Sequence, residues 1–457
     1  MPFDPHLAAI RFGTGLSPVI APPVSVAAML EALHGPDLMA ARYPIAQFVD
    51  ATPDIMTFRA VADLRRDTRD TPRAEEGEDA HRALQEQQRL AQYHDFTATL
   101  ARMVRAPDGL RERLVQFWAD HFTVIARNGM TRHLVTPFIE SAIRPHVAGD
   151  FRLMLRAVVT HPMMLAYLDQ NSSFGPESDQ GLRQGRGLNE NLAREVMELY
   201  TLGVGGPYTQ PDIIEFAQVL TGLHWPMRGM EAVYAPPRAE PGAETVLGVT
   251  YAAEADLAVI HAVLDDLARH PATATHLARK MAQHFVADDP DADMVAAMVA
   301  AYGADCDLGA MVAAMLNHPA AWTPVRDKAR WPLEYVAAAL RALDVPEEAL
   351  RNPDRRDGAG TLLNPLTGMG QSWQAPPDPS GWPKTAAGWI TPQFLAARID
   401  WAMRMPTRIL PDLPDPRDFA RSAYGDPPPE VVFAAEAAED RRTGIGILLS
   451  AAAFHRR

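Results

Sequence analysis

The chain is predicted to be mainly α, a large multi-helix domain with a small β-hairpin and a long Trp/Pro-rich loop. Three observations predict this. Apolar residues recur at helical spacing along most of the 457 residues. Strand signal is confined to one stretch, Val233 to Tyr251. The strand–helix alternation of a nucleotide-binding α/β fold is absent. With 47% hydrophobic and 22% charged residues, the composition is that of an ordinary globular chain with a full-sized core. We read one helical domain over 1–457, a hairpin insertion at 226–252 and a Trp-rich loop at 346–393.

Taken in order, helices are expected at 26–34, 84–106, 134–147, 151–160, 253–268, 273–285, 292–302, 308–317, 331–343, 392–404, 430–440 and 443–454. Asp67 to Ala83 is so charged that it reads as an exposed, mobile excursion. Leu110, Leu114, Phe117 and His121 form one face of a helix opening after Pro107-Asp108-Gly109. Leu192, Val196, Leu199 and Leu202 do the same for a helix stopping at Gly203, and Ile213, Phe216, Ala217 and Leu220 form a third stripe. That third helix has a cap at Thr209 with Asp212 three residues on, Pro211 in its first turn and Gly222 as its stop. Three helices end at a His-Pro pair (161–162, 270–271, 318–319). The residue before proline resists the α conformation, and the proline then opens the next helix. Thr245-Val246-Leu247 is the strand candidate.

Charge and cysteine narrow the partners. Lys+Arg is 43 against 57 Asp+Glu, a net charge of −14, which argues against nucleic acid and anionic membrane. Cys306 is the single cysteine, so no internal disulfide or Cys-rich metal site forms. No basic, apolar leader opens the sequence and no run approaches a membrane span of about 20 apolar residues. A cytoplasmic location is therefore the default expectation, with periplasmic carriage by a co-exported partner as the other route. Only Lys280, Lys328 and Lys384 are lysines, leaving few candidates for Schiff-base chemistry.

The densest polar segment runs from Gly187 to Leu199. At about 100° per residue, Glu195 projects between Leu199 and Leu202, while Arg194 and Glu198 face away and can pair. A carboxylate on an apolar face must be paired, hydrogen-bonded or protonated, which makes Glu195 a candidate acid or base. Packed against a core arginine it would instead be structural. Glu190 begins the same helix beside Asn189 and Asn191, either of which can cap it. An acidic first turn complements the helix dipole, and a second carboxylate near Glu195 could also divide acid and base roles. His121 lies on a core-facing position; it is a buried hydrogen-bonded histidine unless it meets Glu195 across a helix interface. Asp120 reads as a local cap or pair. Trp373, Trp382, Trp389 and Trp401 cluster in or after the long loop, where they can pin it down or offer stacking platforms for sugar rings. No HExxH or His-cluster spacing supports a metal, and no cofactor is expected.

The run Asn189-Glu190-Asn191-Leu192-Ala193-Arg194-Glu195 through Glu198-Leu199-Tyr200-Thr201-Leu202-Gly203, then Tyr208-Thr209-Gln210 and Leu220-Thr221-Gly222, resembles the signature of the bacterial domain-of-unknown-function 1800 family. The likeness also takes in Arg11-Phe12-Gly13, Phe117-Trp118 with His121-Phe122, Leu277-Ala278-Arg279-Lys280, Met369-Gly370-Gln371 and Gly381-Trp382-Pro383. It implies a mainly helical protein, often exported and encoded beside a sulfatase-like protein. Ala119, Tyr200, Ala239 and Glu244 depart from the family pattern, which has His or Lys at these places; a metal bound there in relatives would be held poorly here.

The reading is a hydrolase or lyase on a carbohydrate-like envelope or extracellular polymer. Glu195, Glu190 and His121 are the catalytic candidates, and Asn189, Asn191, Arg194, Trp373 and Trp382 the substrate-binding ones. The alternative is a non-catalytic scaffold or co-export partner of a sulfatase-like protein.

Overall fold

Short polar side chains and prolines set the helix starts. Ser25 caps Val26–His34, Asp291 caps Ala292–Tyr302, Asp307 caps Leu308–Asn317 and Thr391 caps Pro392–Arg404. Each side-chain oxygen accepts one of the N–H groups that the first turn leaves without an intrahelical acceptor. Thr209 and Asp212 form a reciprocal capping box over Gln210–Val219, and Gly222 follows at φ +90°, a conformation suited to glycine. The computed structural model describes residues 2–252, 256–351 and 355–457.

The three His-Pro pairs start helices as the sequence reading expects, with an addition. The imidazole itself is the cap: Nδ1 of His161, His270 and His318 accepts the N–H two residues on, at 3.2, 3.1 and 3.3 Å. The helix expected at 253–268 runs over Leu257–Arg269, and 253–255 lie outside the described residues.

The expected excursion at 67–83 is a correction. Ile55–Thr68 and Ala74–Arg105 are two helices packed as a hairpin, with Gly77 of the second lying against Arg65 and Thr68 of the first. The charges that suggested a loop lie on its wet face and pair there, as Arg65 with Glu78 and Arg73 with Glu76, both at 2.8 Å.

Strand is as sparse as predicted. Leu223–His224 pairs antiparallel with Val233–Tyr234, and Thr245–Val246 with Val249–Thr250. The second pair turns through Leu247 and Gly248, both at positive φ, the backbone that a two-residue hairpin needs. The segment 346–393 is not wholly irregular: Glu347–Arg351, Arg355–Gly358 and Asn364–Gly368 are short helices, with a π turn at Ala359–Leu363.

Two large apolar clusters form the core. One gathers around Leu110–His121 and the helices of the middle of the chain; the other surrounds Pro332–Ala342, every residue of which is buried. Glu334 of that helix joins them, meeting Arg113 at 3.1 Å and Arg457 at 3.0 Å. Arg102–Glu140 and Arg144–Glu112, each at 2.6 Å, are further buried pairs. Among the described residues no helix is long and apolar enough to cross a membrane.

Candidate functional site

The central motif folds as a helix over Asn191–Glu195 that widens into a π turn at Val196–Tyr200. Such turns re-aim side chains and recur at functional sites. Leu192, Ala193, Val196 and Met197 are buried and fix the inward face, leaving Glu195 half-buried at its edge. Among the described residues, no hydrogen bond or ion pair reaches the Glu195 carboxylate. Burial pushes this carboxyl up to about 7, Glu198 and Asp378 add to the shift, and Arg194 opposes it.

Two tyrosines share its field. Burial and the Glu195 charge push Tyr167 up to about 12 and hold Tyr200 well above its usual value. Both hydroxyls therefore stay protonated at neutral pH and can donate. The Arg127 guanidinium stands 5.4 Å from the Tyr167 ring centre and pairs with Asp169 at 2.5 Å. Asn189 secures this corner, donating Nδ2–H to the Asp169 carbonyl at 3.1 Å and accepting the Asn191 N–H at 3.0 Å. Of the two capping candidates, Asn189 is the one used; Asn191 is exposed.

Glu190 does not join Glu195. It is held by Arg194 at 2.9 Å and by Gln210 at 2.8 Å, while Arg194 also reaches Glu198 at 3.3 Å. The i, i+4 pairing expected of Arg194 and Glu198 is thus present, as one part of a four-residue surface network. Asp378, from the long loop, is the carboxylate whose charge acts on both Glu195 and Tyr167. Nothing in its Pro-Pro-Asp-Pro surroundings marks it in the sequence.

His121 is buried, and its expected meeting with Glu195 is not formed. The helix ends after Tyr200, so its last carbonyls lack intrahelical donors. His121 donates Nε2–H to the Tyr200 carbonyl at 3.2 Å, and His276 donates Nε2–H to that of Leu199 at 3.1 Å. Nδ1 of His121 accepts from Lys280 Nζ at 2.8 Å. Burial, Lys280 and His276 hold the imidazole well below its usual value, so it is neutral.

None of the four loop tryptophans is an open platform. Trp389 and Trp401 are buried; Trp373 packs edge-on against Phe96 at 5.1 Å, and Trp382 lies 5.9 Å from Trp389. Half-buried, Trp373 and Trp382 line a cavity of about 70 Å³, room for a few waters, whose polar wall includes Arg102, Glu140, Gln371 and Gln374. The Trp373 Nε1–H has no acceptor there among the described residues. Asp120 is not a local cap, as the sequence suggested. It pairs with Lys384 and accepts the Trp382 N–H at 2.7 Å, clamping the loop to the end of the Leu110–His121 helix. The two tryptophans thus flank the segment that carries Asp378.

Among the described residues, no group of three or more His, Cys, Asp or Glu is placed to hold a metal ion. No curated protein and no solved structure matches this chain. A family profile does match it, that of the Protein of unknown function (DUF1800) family, over residues 11–450. With nearly the whole length matched, the chain belongs to the DUF1800 family.

Proposed function

We propose that the protein is an acid–base enzyme, a hydrolase or lyase on a carbohydrate-like envelope or extracellular polymer, with Glu195 giving and taking the proton. One observation carries this reading: the Glu195 carboxyl is half-buried, without a partner among the described residues and held at about 7. Both of its forms are then populated at neutral pH, the condition under which proton transfer is most effective. Glu112 and Glu140 show the contrast, each sitting 2.6 Å from a guanidinium. Packing alone would favour the same arrangement for Glu195.

In hydrolysis the protonated Glu195 would donate to the departing glycosidic oxygen as water attacks the sugar carbon. In elimination its carboxylate would take the proton from the carbon beside a uronate carboxyl; the C4=C5 double bond forms as the C4–O bond breaks, and the departing oxygen takes that proton back from Glu195. Asp378 replaces Glu190 as the second carboxylate, because Glu190 is engaged by Arg194 and Gln210. Trp373 and Trp382, packed against Phe96 and Trp389 at either end of the Asp378 segment, hold the loop that carries this carboxylate and are not themselves the sugar platform.

The test is product formation from a panel of bacterial exopolysaccharides, read as new reducing ends or unsaturated uronates. Wild type is expected to release product and Glu195→Gln to be slower by roughly 10²–10⁴-fold while still folded. A Glu195 carboxyl titrating at its ordinary value by carbon NMR would overturn the reading. The second reading, a scaffold or co-export partner of a sulfatase-like protein, draws on His121, whose two ring nitrogens are both engaged in holding helices together. It predicts that Glu195→Gln melts well below wild type.

A further inference from the structure

Lysine is rare in this chain, yet Lys280, Lys328 and Lys384, its three examples, line one small cavity. Arg457, His284, Gln283 and Asp120 complete the polar lining, and Phe117 and Trp331 wall it. The space is about 10 Å³, enough for one water-sized occupant.

The charges around this space do not balance. Lys384 is paired with Asp120 and Lys328 with Asp288. Glu334 is shared between Arg457 at 3.0 Å and Arg113 at 3.1 Å. Among the described residues Lys280 forms no ion pair with a carboxylate, and it donates to Nδ1 of His121. Five cations thus face three acids. Arg457 is fully buried, and its Nη1 and Nη2 have no acceptor among the described residues. Buried donors without acceptors, beside excess positive charge, are an unfavourable arrangement that an anion relieves. We propose that this cavity binds a small monovalent inorganic anion of chloride size, held by Lys280 and the free face of the Arg457 guanidinium.

Proton binding is linked to anion binding. Lys280 faces Lys384, Asp120, His121 and His276, and across the cavity His284, Lys328 and Arg457. His121 and His284 are both held well below their usual values and stay neutral. Burial and the Lys384 charge bring the Lys280 amine down to about 7, so Lys280 is the group that titrates near neutrality. An anion favours its charged form. Above pH 7 the apparent affinity should therefore weaken by up to about tenfold per pH unit.

Bromide is the probe. Crystals of the full chain soaked in sodium bromide should show an anomalous peak within hydrogen-bond reach of Lys280 Nζ and Arg457. In solution, sodium bromide should raise the melting temperature saturably relative to sodium gluconate of equal ionic strength. Lys280→Gln, which keeps a donor for His121 but loses the charge, should weaken the bromide effect at least tenfold. Should that variant fail to fold, the fall in wild-type affinity between pH 6 and pH 8 carries the same information. A cavity without a bromide peak, or equal melting curves in bromide and gluconate, overturns the proposal.

Discussion

Replacing Glu195 by Gln should make the protein more stable, and only above a defined pH. The ordinary value of a glutamate carboxyl is 4.5, and burial beside Glu198 and Asp378 moves Glu195 to about 7. Below 4.5 the carboxyl is protonated in both the folded and the unfolded chain, so it does not affect stability through its charge. Between 4.5 and about 7 the unfolded chain releases the proton while the folded one keeps it, and folding becomes progressively less favourable. Above 7 the full cost is present. At 1.36 kcal/mol per pH unit that cost is at most about 3 kcal/mol. Solvent reaches the half-buried side chain, and screening reduces the figure to about 1–2 kcal/mol. Glutamine has no charge to bury. The variant should therefore match wild type at pH 4 and melt a few degrees higher at pH 8, as followed by circular dichroism across a pH series. A variant less stable than wild type at pH 8, or a difference independent of pH, would refute the argument and identify Glu195 as a packing residue. A gain in stability joined to a loss of activity is the signature of a side chain kept for function.

Other consequences follow from contacts elsewhere. Arg144→Ala leaves Glu112 without its buried partner and Asp37 without its guanidinium, and should cost about 3–5 kcal/mol in urea denaturation. His270→Ala removes the imidazole cap of Pro271–Phe285 and should cost about 1 kcal/mol, with His270→Asn recovering most of it. Gly381→Ala places a Cβ against the Asp120 carboxylate and 2.7 Å from its carbonyl oxygen, at a φ of +85°. It should cost about 1–3 kcal/mol and raise proteolysis of the 372–384 loop.

Legibility in the sequence divided along the range of the forces involved. Val26–His34, Ala292–Tyr302, Leu308–Asn317 and Pro392–Arg404 were readable to the residue, because a cap, a stripe and a stop lie within one short window. The capping box of Thr209 and Asp212 was readable for the same reason. The helical hairpin across 67–83 was hidden because its outer face is so heavily charged that the buried positions, such as Gly77 and Leu84, are diluted. Glu195 could be picked out as a carboxylate on an apolar helix, a purely local pattern. Its neighbours Tyr167 and Asp378 could not, since they arrive from segments far apart in the chain. The π turn at Val196–Tyr200 leaves no mark in spacing, and the imidazole caps look in sequence like proline effects alone.

The clamp between Asp120 and the loop spans 264 residues. At about 5–20 residues per second, a ribosome needs roughly 13–50 s to deliver Lys384 after Asp120. During that interval the emerging polypeptide carries an acidic group at the end of an apolar helix with neither its cation nor its N–H donor yet made. Asp378 is likewise absent when the motif bearing Glu195 is already complete. The nascent protein therefore passes through a long stage in which its inner surfaces are open, and closure of this face waits for the segment that carries Asp378 and Lys384.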